Sequence, residues 1–304
     1  MIAPRRTFLV SLLIVALPCG LAVLSATGQS PRSGAAVPVI DTARAYVEDY
    51  KNKLTFIIAD EDYTQEIRDQ VPLDPAMPKG RTMKSEMYFL FAPQTEQWLA
   101  VRDVISVDGQ TLTDRPIVSA LLATMPPSGV AMTVATHNSR FNIGRTVRNV
   151  NEPTLGLLIL DADRQSSVVF DVKRTDVDRG TRVATIAFHE QGPRTLIVMF
   201  HDALPAAAPS SGEIVAEEQT GRVRRTEIKT KLGSVSVDLA TTYVAEPALD
   251  MWVPAAFREH YEDGVYQHDA KNRFGAPGYE EILCEARYSH FRRFETTGHI
   301  KKHP

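Results

Sequence analysis

The chain has 304 residues, 43 % of them hydrophobic, and a formal net charge of −3. That is enough for one large β domain or two small ones with a real core. It excludes a nucleic-acid module, which needs a basic surplus to neutralise phosphates.

Residues 1–28 read as a signal peptide. Arg5 and Arg6 form a basic start, residues 8–24 are an almost unbroken apolar run, and Ala26-Thr27-Gly28 offers small residues for cleavage. The mature chain is therefore expected to be exported, to the periplasm or cell envelope. Arg5-Arg6-Thr7-Phe8-Leu9 also fits a twin-arginine signal, but the very apolar run and the lack of a following cofactor motif favour ordinary secretion. An uncleaved single-span anchor is a third option. Cleavage removes Cys19 and leaves Cys284 as the one thiol, so no internal disulfide is expected. Cys284 shares a strand face with Ile282, Ala286 and Tyr288, where burial would keep it protonated and inert.

Residues 29–40, rich in Ser, Pro, Gly and Ala, read as a flexible tether. Asp41 then caps a helix whose apolar stripe is Ala43, Tyr46, Val47, Tyr50 and Leu54. A strand starts near Phe56, "QVPLDPAMPKG" is a loop, and strands follow at 84–92 and 97–107. Asp108-Gly109 marks a hairpin turn. A three-residue loop, 107–109, would set Arg102 opposite Asp114, whereas a two-residue loop would oppose Asp103 and Asp114. The spacing therefore predicts the longer loop. A helical insert follows at about 116–162. It holds "IVSALLATM", a helix capped by Ser128 and running through Asn138, and a short helix "TLGLLIL" with Asn151 and Pro153 as cap and first turn.

From there the chain reads as strands at 167–173, 182–190, 195–201, 213–218, 222–231, 234–244, 257–262 and 281–294. Short spacings and regular turns make this an antiparallel meander. "LPAAAPSSG" reads as a flexible bridge, and "DGVYQHDAKNRFGAPG" as a long polar loop. In the hairpin at 222–244, Val235, Val237, Leu239, Thr241 and Tyr243 share one face of the second arm. The first arm has no apolar face, which places it at an edge or a rim where cations block further pairing.

The segments "GEIVAEEQTGRVRRTEI", "SVSVDLATTYV", "MWVPAAFREHYE" and "ARYSHFRRF", behind a helix and a helical insert, resemble the periplasmic lipoprotein-carrier family. The "RDV–VDG–R" hairpin and the "FNIG" insert resemble more closely a group of exported bacterial proteins related to it. The resemblance implies an α+β, mainly antiparallel fold: a strongly curved, incomplete β-barrel around an apolar cavity, with covering helices over its open side. Residues 41–304 then form a single curved-sheet domain. As partners it implies a lipid or lipoprotein acyl chain, and other envelope proteins.

No G-x-S-x-G elbow, phosphate-binding glycine loop, dinucleotide fingerprint or H-E-x-x-H helix occurs. His189-Glu190 and His201-Asp202 lie near ends of adjacent strands, but a zinc site needs three or four ligands. Asp60, Glu61 and Asp62 alternate between faces and read as solvated charge. Arg292 and Arg293, between Phe291 and Phe294, read as arginines paired with acids. No cofactor and no metal are expected. The favoured reading is a non-enzymatic binding protein for a lipid or acyl chain. Phe170, Phe188, Met199, Val237 and Leu239 would line the apolar cavity, with Arg222 and Arg224 at its rim for an anionic head. The alternatives are an envelope scaffold with a filled core, and a hydrolase with a noncontiguous site of His189, His201 and nearby acids.

Overall fold

The computed structural model describes residues 38–92, 97–148, 150–192, 194–201, 204–264 and 278–294. The segment read as a signal peptide and most of that read as a tether fall outside these residues. Helix α1 (Pro38–Leu54) starts at a proline, which is tolerated in a first turn because its missing N–H has no intrahelical role there. The helix thus begins before Asp41. It buries Val39, Ile40, Ala43, Val47, Tyr50 and Leu54 at helical spacing.

Four strands follow: β1 (Ile57–Val71), β2 (Gly80–Ala92), β3 (Gln97–Val107) and β4 (Gln110–Thr111). The insert carries α2 (Val118–Leu122), α3 (Pro127–Asn138) and three 3-10 turns, Ser139–Phe141, Leu155–Leu160 and Ala162–Arg164. The meander comprises β5 (Val168–Asp178), β6 (Thr181–Glu190), β7 (Ile197–His201), β8 (Leu204–Ala208), β9 (Ser210–Glu217), β10 (Val223–Leu232), β11 (Val235–Glu246), β12 (Met251–Asp263) and β13 (Tyr279–Arg293).

Among the described residues, eleven strands form one antiparallel sheet in the order β4-β3-β2-β1-β13-β12-β11-β10-β9-β6-β5, and β7 pairs with β8 apart from it. The first and last long strands, β1 and β13, meet in the middle of the sheet. Its edges, β4 and β5, do not pair, so the barrel is incomplete, as expected of a twisted sheet this wide. One face of β1–β3, β6 and β9–β13 joins α1 and Leu155–Leu160 in a single core. This is the concave face.

Five expectations are corrected. The β3–β4 turn has two residues, Asp108 and Gly109, both with positive φ, and Val107 pairs with Gln110. The repulsive pair is avoided because β4 ends at Thr111. Asp103 then meets Arg115, and Asp114 meets Arg140 at 2.9 Å. Strand β10 is interior, between β9 and β11, not an edge or a rim. A bulge between Val223 and Arg225 lets Val223 and Thr226 both turn inward, beside Ile228 and Thr230. Thr230 satisfies its buried hydroxyl on the carbonyls of Ala208 and Pro209. Part of "LPAAAPSSG" is strand β8, and the "TLGLLIL" segment is a 3-10 turn with no side-chain cap. Helix α3 starts at Pro127, before Ser128, also without a side-chain cap.

The insert does not simply cover the open side. It straddles the β3 edge. Helices α2 and α3 place Val118, Val130 and Val134 on the convex face, against Ile58, Tyr88, Leu90 and Val101. Residues 139–160 return to the concave face. At the crossing, Asn138 Nδ2 donates to the Arg102 carbonyl of β3 at 2.6 Å, blunting the exposed edge.

Candidate functional site

The concave face is occupied by the chain itself. Beneath β10 and β11, Leu157, Ile159 and Leu160 are at most 1 % exposed. Between the adjoining Leu155 and Gly156 and the sheet residues Thr226, Ile228, Leu239, Thr241 and Phe257 lies a void too small for a water molecule. Phe188, Met199, Val237 and Leu239 belong to this packing, at 3, 5, 1 and 4 % exposed. Phe170 is half-buried at its margin, under the Arg44 guanidinium at 5.3 Å. Half-buried Glu152 borders the void. Burial pushes its carboxyl up to about 8, opposed by a hydrogen bond from Thr154.

Beneath β1, β12 and β13 the filling is polar. Arg102 donates twice to Glu61, at 2.6 and 2.9 Å, and lies 4.0 Å over the Tyr63 ring. Tyr63 and Tyr261 both donate to Glu259, at 3.0 and 2.6 Å. Glu259 is fully buried, and desolvation holds its carboxyl above the usual range despite Arg102. The "FNIG" stretch docks on this half. Gln65 receives the Ile143 N–H and an Arg148 guanidinium N–H, at 3.1 and 2.6 Å. Arg148 also reaches the Cys284 sulfur at 3.1 Å. Glu280 accepts from Gln70, from the Arg145 and Thr146 N–H groups and from the Thr146 hydroxyl, all within 3.0 Å. These bonds outweigh its desolvation and lower its pKa. Gly144, at φ +84°, presses on Ile282, where an added Cβ would approach within 2.4 Å. Cys284 is buried, and burial raises its thiol to about 11.

Open space lies elsewhere. A cleft of about 470 Å³ runs between α1 and the turns that join β9 to β10 and β11 to β12. Tyr46 and Tyr50 of α1 face Met251 and Trp252 across it. Its polar positions include Lys53, Arg222, Asp49, Glu246 and Asp250. Arg222 gets there through Gly221, at φ +68°, where any Cβ would strike the Thr42 carbonyl at 2.1 Å. Among the described residues, the Tyr50 hydroxyl is buried without a hydrogen-bond partner, and Trp98, packed edge-on at 5.5 Å, leaves its Nε1 likewise unpaired. Burial of Tyr46 raises its phenol pKa. Arg224 stands behind the wall. It donates to Glu217 at 2.9 and 3.1 Å, meets Asp178, and lies 5.6 Å from the Trp252 ring.

The structure therefore gathers Phe188, Met199, Val237 and Leu239 in the core, places Arg222 on the cleft, and holds Arg224 in ion pairs. His189 is exposed and sits 2.9 Å from Gln191, and the His201 side chain lies outside the described residues. Glu190 is occupied by Leu196 N–H, Ser210 N–H and the Ser210 hydroxyl. Tyr46, Tyr50, Met251 and Trp252 were legible only as core and strand residues. The signal for a cleft was two tyrosines four apart on α1 and the aromatic at the start of β12.

The chain matches no sequence-family profile and no curated protein. Among solved structures it is similar to a LolA superfamily protein from Nitrosomonas europaea, at 9 % identity over 84 % of this chain and 94 % of that one, with a TM-score of 0.30. It is also similar to an outer membrane lipoprotein-sorting protein domain from Vibrio parahaemolyticus, at 10 % over 86 % and 95 %, TM-score 0.31. A DUF1329 family protein from Desulfovibrio piger gives 9 % over 84 % and 92 %, TM-score 0.33. Among the described residues no helix is long and apolar enough to cross a membrane.

Proposed function

We propose that the mature chain is an exported, non-enzymatic binding protein of the cell envelope. Its ligand is an amphiphile such as a lipid or a lipoprotein acyl chain. The observation that carries this reading is the cleft beside α1: about 470 Å³, with aromatic and thioether walls and cations at Lys53 and Arg222. That volume is in the range of small-molecule sites, which are typically ~300–1,000 Å³. Each methylene buried there contributes about 0.8 kcal/mol. An anionic head would lie toward Arg222. Deeper entry, among Phe188, Met199, Val237 and Leu239, requires α1 or Leu155–Leu160 to move, because no room exists between them.

The packed interior favours a second reading, an envelope scaffold that takes no small ligand. Titration of a fluorescent fatty-acid analogue into the mature protein separates the two. Saturable binding, weakened by Trp252→Ala and modestly by Arg222→Ala, is expected of the cleft. Additional loss in a folded Val237→Glu variant would show that the chain reaches the interior. No saturable binding leaves the scaffold.

A further inference from the structure

On the convex face, β12 and β13 carry a constellation that the cleft does not use. His260 and Glu262 are two apart on β12 and share the face opposite buried Glu259 and Tyr261. Glu281 of β13 pairs directly with Glu262, and Asp69 of β1 pairs with Glu281 on its other side. Three carboxylates thus stand in a row across three neighbouring strands. Like charges directly opposite one another destabilise a sheet.

Elsewhere on the convex face, cations stand beside the acids that face across strands. Lys84 and Arg287 flank Asp62, Arg258 stands opposite Glu285, and Lys229 opposite Asp238. Where acids do oppose each other, an arginine attends at least one of them. Arg292 joins Asp60 and Glu86, Arg115 meets Asp103, and Arg225 meets Glu227. Among the described residues, no lysine or arginine is placed within ion-pair distance of Asp69, Glu262 or Glu281. The group that reaches the row is an imidazole: His260 Nε2 is 2.9 Å from Glu281 Oε1.

We infer that His260, Glu262 and Glu281 form a binding site for a divalent transition-metal ion. One donor atom from each lies within 4.8 Å of the others. Tetrahedral zinc, with bonds of about 2.0–2.2 Å, sets its ligand atoms on the order of 3.3 Å apart, so shifts of about 1.5 Å or less between donor atoms close the site. Two carboxylates balance the ion's charge, and the fourth position stays open to water or to a ligand atom from a partner. An imidazole with two carboxylates suits zinc, cobalt or manganese. Calcium needs six to eight oxygens. Glu262 is exposed and the other two are half-buried, so the ion has access. Bound there, it offsets the charges of Glu262 and Glu281 and clips β12 to β13.

The test uses the full mature chain, stripped of metal and titrated with cobalt(II) while visible absorption and melting temperature are followed. One equivalent is expected to bind through this site and to raise the melting temperature. His260→Gln and Glu281→Gln should each bind that equivalent at least about tenfold more weakly. Exposed Glu262→Gln serves as the variant least able to disturb folding. Binding unchanged in all three variants would place the metal on other histidines and overturn the inference. So would no binding by the wild type, or displacement of cobalt by equimolar calcium.

Discussion

Beneath β10 and β11 the concave face is sealed by hydrocarbon, from Leu157, Ile159 and Leu160. Beneath β1, β12 and β13 it is sealed by ion pairs and hydrogen bonds, from Glu61 to Glu280. The two halves differ in what they specify. Apolar contact is non-directional and depends on area and fit, so it fixes how much is buried. A carboxylate that must receive four donors fixes where those donors sit. Our hypothesis is that the polar half sets the placement of residues 141–148, and the apolar half supplies most of the cohesion.

The largest effect should come from Glu280→Ala. It strips the acceptor from the Arg145 and Thr146 N–H groups, Gln70 and the Thr146 hydroxyl, and breaking such a buried charged network costs about 3–5 kcal/mol. Urea unfolding measures the loss, and hydrogen exchange should quicken at residues 143–148 in particular. A loss below about 1 kcal/mol would dissolve the distinction between the halves, since even one neutral hydrogen bond contributes that much. Leu157→Ala should cost about 3 kcal/mol, the middle of the range for such truncations, and leave protection at 143–148 unchanged relative to the global value. Cys284→Ser should cost about 1 kcal/mol, the low end for burying a hydroxyl, because Arg148 can donate to the new oxygen as it does to sulfur. The native thiol should also resist labelling reagents.

The halves also oppose each other in pH dependence. Glu280 has a lowered pKa in the folded state, so its contribution is present above the unfolded carboxylate value and fades as pH falls through the folded one. Glu152 runs the other way. With its carboxyl raised to about 8, the folded state holds the proton more tightly, so its contribution is present below the unfolded value near 4.5 and is lost as pH rises to 8. Melting temperatures of Glu152→Gln against wild type should therefore diverge between pH 5 and 8 in favour of the variant. Parallel curves would show that Glu152 titrates normally.

The strand series was legible because alternation survives in one sequence: Val235, Val237 and Leu239 announce a covered face unaided. The stripe on α1 was legible for the same reason, at a period of 3.6. Strand β10 was misjudged as an edge because threonines fill its inward positions, and their apolar methyls do not register as a hydrophobic face. The polar half was invisible. Glu61 lay inside an acid run that reads as solvated charge, and its partner Arg102 is 41 residues away. Gln65 and Arg148 are separated by 83 residues, and Glu280 meets Thr146 across 134. No local pattern records such pairs. The cleft went unseen because its walls come from α1 and two distant turns, and because concavity is a property of the sheet rather than of any segment.

The seam between β1 and β13 has a consequence for the order of assembly. Ile57 pairs with Arg293, so the centre of the sheet is stitched by residues from opposite ends of the fold. Strands β2–β4 hang from β1, and β5, β6 and β9–β12 run as a meander to β13. Until β13 is made, the nascent chain holds these as two separate sheets, each with a raw inner edge and no shared interior. Closing so long a loop is entropically costly and slow. A chain cut short before Tyr279 would leave both edges open to strangers, and its fate would belong to chaperones and proteases rather than to the cleft.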